Sequence, residues 1–411
     1  MPRVKGRHSA KGIASAAVLA IAGVALASLC FREAAVRALS PTTPVVQRIA
    51  ASYPDVVLRT TKQALVDQNG ILDTAALDAT RTAATRAPLD ARAFLILGHQ
   101  QLLDRQPARA VRTLEMSQRL DPRERLTHLL LLDRYLRTGR YSDAAGQFSV
   151  LSRLMGDVQG PIATAVAEMT RIPETKAAVR QTLATDRALE RAVLRVLAKS
   201  QTAPAEIFAL ASPAARRDAG QTESWGPVLV KRLVDQGRYA EARRVWQRVY
   251  GLSDAQASTP LFNPGFAQIA ASPPFDWTFA ADSLGAADPQ NGALSIEYYG
   301  RDSGTLAGQL LTLAPGAYRL GFTIEGGKAA DGPALFWSLR CKTADKSEGA
   351  ELLRMPVAGT GQVQKRAGAF TVPAGCAAQQ LALIGQAGEF PAVINVTLRD
   401  LNVRAGGAPR P

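Results

Sequence analysis

The chain has 411 residues, 47% hydrophobic and 20% charged, with a net charge of +14; this composition excludes a disordered chain and leaves room for two or three domains. By region the charge is +5 over residues 1–40 (six basic, one acidic), +9 over 41–274 (31 against 22) and zero over 275–411 (12 against 12). The basic residues of the middle are mostly Arg set among carboxylates at helical intervals, the pattern of a solvated face, and no basic block with interleaved aromatics points to nucleic acid.

Gly12 to Phe31 is a run of 20 residues without a charge, preceded by Arg3, Lys5, Arg7 and Lys11. Twenty apolar residues in a helix span a hydrocarbon core of about 30 Å, and flanking cations stay on the cytoplasmic side. The expectation is a cytoplasmic basic tail over 1–11, a transmembrane anchor over 12–31 and a linker over 32–55. The protein would then be a single-pass bacterial inner-membrane protein with its bulk in the periplasm, its membrane partner engaged through residues 12–31. The alternative is a signal peptide cleaved after Ala25-Leu26-Ala27, leaving a soluble periplasmic chain. The apolar run continues through that site, which favours retention, and Leu29 ahead of Cys30 argues against lipidation.

From about Val56 to Leu252 the periodicity is helical, and the phrases "LRTGRYSDAAGQFSVL" and "LVDQGRYAEARRVWQRV" repeat one pattern with Gly139 and Gly237 in the same place, 98 residues apart. A unit from Ala91 carries Phe94, Leu97, Gly98, Ala110, Ser117 and Pro122; one from Arg125 carries Leu131, Tyr135, Gly139, Tyr141, Ala144 and Phe148; one from Val57 carries Ala64, Ala76, Ala83 and Pro88. These three share a 34-residue register, and a fourth from about Glu223 places Trp246 where Phe148 stands. The pattern resembles the tetratricopeptide repeat. The resemblance implies an α-solenoid over 56–255, with Ala110, Ala144 and Ala242 as small contacts where paired helices cross. Residues 157–222, interrupted by Pro161, Pro173, Pro204 and Pro213, read as degenerate hairpins. In such arrays the first helix of each pair lines a concave protein-binding face, where Arg92, His99, Asp133, Arg137 and Lys231 would point.

After a linker at 256–274 the periodicity becomes alternating. Eight strand-like runs follow, "ALSIEYY", "TLAGQLLTL", "AYRLGFTIE", "ALFWSLRC", "AELLRMPV", "AGAFTVP", "QQLALIG" and "AVINVTLRDLNV", separated by Gly and Pro turns. The expectation over 275–405 is an antiparallel β-sandwich, with 406–411 as a tail. "GQLLTLAPGAYRLGFTIEG", "FTVPAGCAAQQLALI" and "VTLRDLNV" resemble the galactose-binding-like jelly roll of carbohydrate-binding modules. That resemblance implies a polysaccharide ligand in some members and protein packing in others. Alternation puts Leu335, Trp337, Leu339 and Cys341 on the core face, as it does Tyr318, Leu320, Phe322 and Ile324. Sugar sites need an aromatic ring for the apolar sugar face together with carboxylate or guanidinium groups for hydroxyls, so Glu297, Tyr299, Phe336 and Arg340, on outward faces, are the candidates. Asp400 resembles a structural aspartate of the closing strand in that family. Cys341 and Cys376, in an exported chain, are expected to form a disulfide.

Three histidines, His8, His99 and His128, stand without carboxylates or cysteines at metal spacing, and no nucleophile elbow, zinc-protease helix or phosphate loop occurs. No catalytic residues, metal or cofactor are expected. The leading expectation is a non-catalytic scaffold that binds proteins through its repeats, in envelope or exopolysaccharide assembly. The alternatives are a carbohydrate-binding protein acting through the jelly roll and a cryptic glycan-active enzyme with two unmarked carboxylates.

Overall fold

The computed structural model describes the chain except for residues 1–9, 41–42, 68–69, 156–158, 268–270, 291, 327–331, 344–347, 360 and 407–411. Most of the expected N-terminal tail and C-terminal tail thus lies outside the described residues, as do the side chains of residues 10–21 in the first helix. The chain divides into two compact units, residues 1–162 with 172–182, and 163–171 with 183–411. Among the described residues the N-terminal half holds sixteen α-helices, and the C-terminal part holds antiparallel sheets.

The first unit is helical: α1 (Ala10–Ala38), α2 (Pro44–Ala50), α3 (Pro54–Asp67), α4 (Thr74–Arg86), α5 (Ala91–Leu103), α6 (Pro107–Leu120), α7 (Arg125–Arg137) and α8 (Tyr141–Met155). Helix α1 corrects the membrane reading. Among the described residues no helix is long and apolar enough to cross a membrane, so a single-pass inner-membrane protein is not supported. The C-terminal turns of α1 pack in protein: Val36 is buried in a cluster with Val46, Ala50 and Val56, and Glu33 accepts a hydrogen bond from the Tyr53 hydroxyl at 2.6 Å. Among the described residues of 32–55, expected as a linker, are the end of α1, all of α2 and the start of α3, packed on one another.

Helices α5 and α7 begin at 91 and 125, and α6 and α8 at 107 and 141, an interval of 34 in both cases. Each hairpin closes on small contacts. Ala110 and Ala144 are fully buried, and a Cβ on Gly98 would come within 2.8 Å of the Leu114 side chain. Gly139 ends α7 at φ +72°, a left-handed conformation that glycine adopts without the Cβ penalty. Ser117 of α6 donates to the Ala91 carbonyl within its own hairpin at 2.9 Å and meets Thr127 Oγ1 of the next hairpin at 3.0 Å. Buried His128 sits between Gln147 Oε1 (2.6 Å) and the Pro122 carbonyl (2.9 Å), which makes it a packing residue. Helices α9 (Gln159–Met169) and α10 (Lys176–Thr185) fall across the division between the units.

The second unit opens with α11 (Arg187–Lys199), α12 (Pro204–Leu210), α13 (Pro213–Arg217), α14 (Trp225–Asp235), α15 (Tyr239–Tyr250) and α16 (Asp254–Ala257). Pro204 and Pro213, read from sequence as interruptions, stand in the first turns of α12 and α13, where a missing N–H costs nothing and the fixed φ suits a helix. The α14/α15 hairpin repeats the earlier construction, with Gly237 at φ +72° and Ala242 and Trp246 fully buried.

Eleven strands follow: β1 (Thr278–Phe279), β2 (Ala281–Asp282), β3 (Gly285–Gln290), β4 (Ala293–Tyr298), β5 (Gly304–Leu311), β6 (Gly316–Gly326), β7 (Ala334–Lys342), β8 (Glu348–Pro356), β9 (Gln364–Val372), β10 (Ala378–Gln386) and β11 (Ile394–Ala405). All eight expected strands are present. The three that sequence reading passed over are short, and β3 reads Gly-Ala-Ala-Asp-Pro-Gln, residues with weak strand preference. The strands form two antiparallel sheets, β1-β5-β10-β7-β8 and β2-β3-β4-β11-β6-β9. One apolar core joins them, containing Leu335, Trp337, Leu339 and Cys341 of β7, Leu320, Phe322 and Ile324 of β6, and Leu294, Ile296 and Tyr298 of β4. Tyr318, expected inside, is only partly buried against that core.

Residues 256–274, expected as a linker, are built into the same unit. Leu261 and Phe266 enter the sandwich core, while Gln309 holds the Phe262 backbone from both sides, Oε1 accepting its N–H at 3.1 Å and Nε2 donating to its carbonyl at 2.9 Å.

Candidate functional site

The outer face of the five-stranded sheet is where small and polar side chains converge. Register across it aligns Thr278 of β1, Gly308 of β5, Ala382 of β10, Ser338 of β7 and Arg354 of β8 in one row. Cross-strand partners share a face, so Gly308, Ala382 and Ser338 form a low floor running across the strands. The row on one side holds Leu310, Gln380, Arg340 and Glu351. The row on the other holds Ile384, Phe336 and Pro356. Same-face rows along a strand lie about 7 Å apart, so the two flanking rows border a trough whose floor, Gly308, Ser338 and Ala382, is buried.

Polar groups within the trough are tied to one another. Ser338, almost wholly buried, donates to Glu351 Oε1 at 2.6 Å. Arg354 donates to Gln386 Oε1 at 3.0 Å, and its guanidinium carbon lies 3.6 Å from the Phe336 ring centroid. Arg340 and Glu351 are exposed opposite each other. The surface thus presents two guanidinium groups, a carboxylate and the Gln380 amide within three rows, with the Gln386 amide one row further, donors and acceptors suited to paired hydroxyl groups.

The four sequence candidates divide. Phe336 and Arg340 share this face, two rows apart. Glu297 and Tyr299 do not join them: Glu297 pairs with Ala286 and Asn395 on the outside of the six-stranded sheet, and Tyr299 borders a cleft of about 290 Å3 with Arg301 and residues 391–393. Phe336 is also not an open platform, since it is only 7% exposed and its ring carries Arg354. Glu351, Arg354, Gln380 and Gln386 were missed by sequence reading. Register shifts between Leu339 and Arg340 and again between Arg340 and Lys342 bring Glu351 and Arg354, three residues apart, onto one face, which strict alternation forbids. Gln380 had a usable signal: in "QQLALI" it alternates with Leu381 and Leu383, both in the core, so it faces outward.

Cys341 and Cys376 are placed as a disulfide, Cα to Cα 5.5 Å, tying the end of β7 to the turn before β10. Among the described residues no group of three or more His, Cys, Asp or Glu is arranged to hold a metal ion. Asp400 accepts from Thr323 Oγ1 at 2.9 Å.

The residues assigned to a concave protein-binding face fall in both units. Arg92 is held by Asp55 at 2.6 Å and by Asp90 at 2.9 Å, partners that raise its pKa. Asp133 accepts from Arg134 and Arg137, which lower its pKa against the opposing effect of burial. His99 is half-buried with Nδ1 unpartnered; its ring packs against Gly70, where a Cβ would come within 2.8 Å. Burial lowers its pKa. Lys231, in the second unit, pairs with Asp235 at 2.5 Å. Arg92, Asp133, Arg137 and Lys231 are thus engaged in ion pairs within the fold.

No protein-family model matches the chain, and no curated protein does. Among solved structures the C-terminal sheets resemble carbohydrate-binding modules. The N-terminal cellulose-binding domain of Cellulomonas fimi β-1,4-glucanase C is 17% identical, with a TM-score of 0.23, covering 32% of this chain and 90% of that domain. The CBM22-1 xylan-binding domain of Paenibacillus barcinonensis Xyn10C is 12% identical, with a TM-score of 0.24, covering 32% and 86%. TmCBM61, solved with β-1,4-galactotriose, is 15% identical, with a TM-score of 0.26, covering 36% and 99%.

Proposed function

We propose that the chain is a non-catalytic glycan-binding protein whose recognition surface is the trough on the outer face of the five-stranded sheet. The observation that carries this reading is the register-aligned floor of Gly308, Ala382 and Ser338, flanked by Gln380, Arg340 and Glu351 on one side and by Phe336 under Arg354 on the other. A sugar chain lying across the strands would place its ring faces over the small residues and its hydroxyls beside the amides, guanidinium groups and carboxylate. Hydrogen bonding, more than ring stacking, would supply the selectivity, because Phe336 is already covered. The ligand class is a neutral polysaccharide.

The test is binding of the full-length chain to a panel of neutral glycans, followed by calorimetry on the best ligand. Arg340→Ala combined with Gln380→Ala should weaken binding at least tenfold, and Ala382→Phe, which fills the floor, should abolish it. Absence of binding across the panel, or unchanged affinity in both variants, would overturn the proposal.

A second reading is supported by the recurrence of one hairpin geometry, φ +72° at both Gly139 and Gly237 and fully buried Ala144 and Ala242. It assigns the helices a tetratricopeptide-like construction and a protein-docking role. A pull-down with the full-length chain that recovers no partner sensitive to substitutions on the first helices of the hairpins counts against it.

A further inference from the structure

The outer face of the six-stranded sheet carries a second depression of different chemistry. A cleft of about 750 Å3 opens over β6, β9 and β11, bordered by Arg319, Lys365, Arg366 and Arg404 with Asp400 among them. Register explains its shape. Arg319 pairs with Arg404, Gly321 with Asn402 and Ala367, and Thr323 with Lys365. Gly321 and Ala367 are thus a low floor between a cationic row and a row ending in Lys365. Two such steps along a strand set the cationic ends about 13 Å apart.

The strand is deformed where the cleft lies. The register of β11 shifts between Arg399 and Asn402, and Asp400 sits at φ +51°, a conformation uncommon for a residue with a Cβ and concentrated at functional sites. Its carboxylate accepts from Thr323 Oγ1 at 2.9 Å, and its carbonyl accepts from Asn402 Nδ2 at 2.6 Å. The bulge is fixed by these bonds, and the single carboxylate in the cleft is turned to a hydroxyl.

The four cations are exposed, and among the described residues none has an ion-pair partner. Arg366 donates to the neutral Gln364 at 2.8 Å. Nearby Arg399 provides the contrast, since it pairs with Glu325 at 3.5 Å. The sheet therefore neutralises the cation beside the cleft and leaves the ones around it uncompensated, although the region 275–411 as a whole carries 12 cations and 12 anions. Like charges gathered round a concave surface raise the local concentration of an opposite ligand.

We infer that this cleft binds an anionic polysaccharide, with Arg319 and Arg404 taking one carboxylate and Lys365 another further along the chain. Arginine suits planar, bidentate carboxylate recognition, and two separated anchor points select a repeating polyanion over a single small anion. The inference rests on the sheet opposite the neutral-glycan trough and stands or falls independently of it.

The experiment is affinity electrophoresis of the full-length chain in gels containing polygalacturonate. The wild type should be retarded, less so as NaCl is raised. Arg319→Gln combined with Arg404→Gln should weaken retardation at least tenfold, and Lys365→Gln, tested separately at the other end, should weaken it severalfold. Retardation is measured relative to each variant's own mobility in ligand-free gels, which the lost charges alter, and binding of a neutral glycan should not change. The idea is overturned if the double variant and the Lys365 variant are both retarded like the wild type. It is equally overturned if single-stranded DNA binds as tightly at 0.15 M NaCl, which would mark the cleft as a general polyanion surface.

Discussion

Trp246 of α15 donates its indole N–H to the carbonyl of Ser272 at 2.7 Å, fastening a helix to the segment that leads into the sandwich. Phe262 and Phe275 stand against the same indole with ring centroids 4.9 and 5.7 Å away. The Arg243 guanidinium lies over all three rings and donates to the Phe275 carbonyl at 3.3 Å. Helix and sandwich therefore share one packed junction inside the second unit.

Trp246→Ala should cost about 3–5 kcal/mol, the range for removing a large aromatic from a core, with the Ser272 carbonyl left unpaired in addition. Urea unfolding followed by circular dichroism would measure it. A loss below about 1 kcal/mol would mean that the junction does not hold the unit together.

Gly139→Ala should destabilise the first unit by about 1–2 kcal/mol, the cost of placing a Cβ in the left-handed region, since nothing crowds that position sterically. Ala144→Leu should cost about 1–3 kcal/mol by overpacking a fully buried contact. Thermal melts of each variant test both expectations, and an unchanged midpoint in either contradicts the hairpin geometry.

His99 gives the first unit a pH dependence. Burial lowers its folded pKa below the usual histidine value of 6.5, so the unfolded chain takes up a proton at a higher pH than the folded one does. Its stabilising contribution is complete above about pH 6.5 and is lost as pH falls toward the folded value. The melting temperature should drop between pH 7.5 and 5.5, and His99→Gln should reduce that drop. Parallel curves for the two proteins would refute the assignment.

The bond between Cys341 and Cys376 closes a loop of 35 residues, worth about 4 kcal/mol in the chain-entropy description. Adding dithiothreitol should lower the stability of the second unit by an amount of that order, and Cys341→Ala with Cys376→Ala should reproduce the shift. Full thiol labelling of denatured, unreduced protein would show that the pair is not bonded.

Much of this architecture is local and was legible from the amino-acid order. Helix hairpins announce themselves through Gly139, Gly237 and the small residues at fixed intervals, because turn conformation and helical period depend on neighbours a few residues apart. Strand faces are legible for the same reason, and alternation correctly placed Leu335, Trp337, Leu339 and Cys341 in the core. Tertiary structure alone decided which strands became neighbours. It separated Glu297 and Tyr299 from Phe336 and Arg340, laid Arg354 over Phe336, and turned residues 256–274 from an expected linker into a packed junction. It also brought together Arg319, Lys365 and Arg404 from three strands. Those outcomes depend on cross-strand register and on bulges at β8 and β11, where a one-residue shift changes which face a side chain meets. Pairing between segments distant in sequence sets that register, and no single segment carries it.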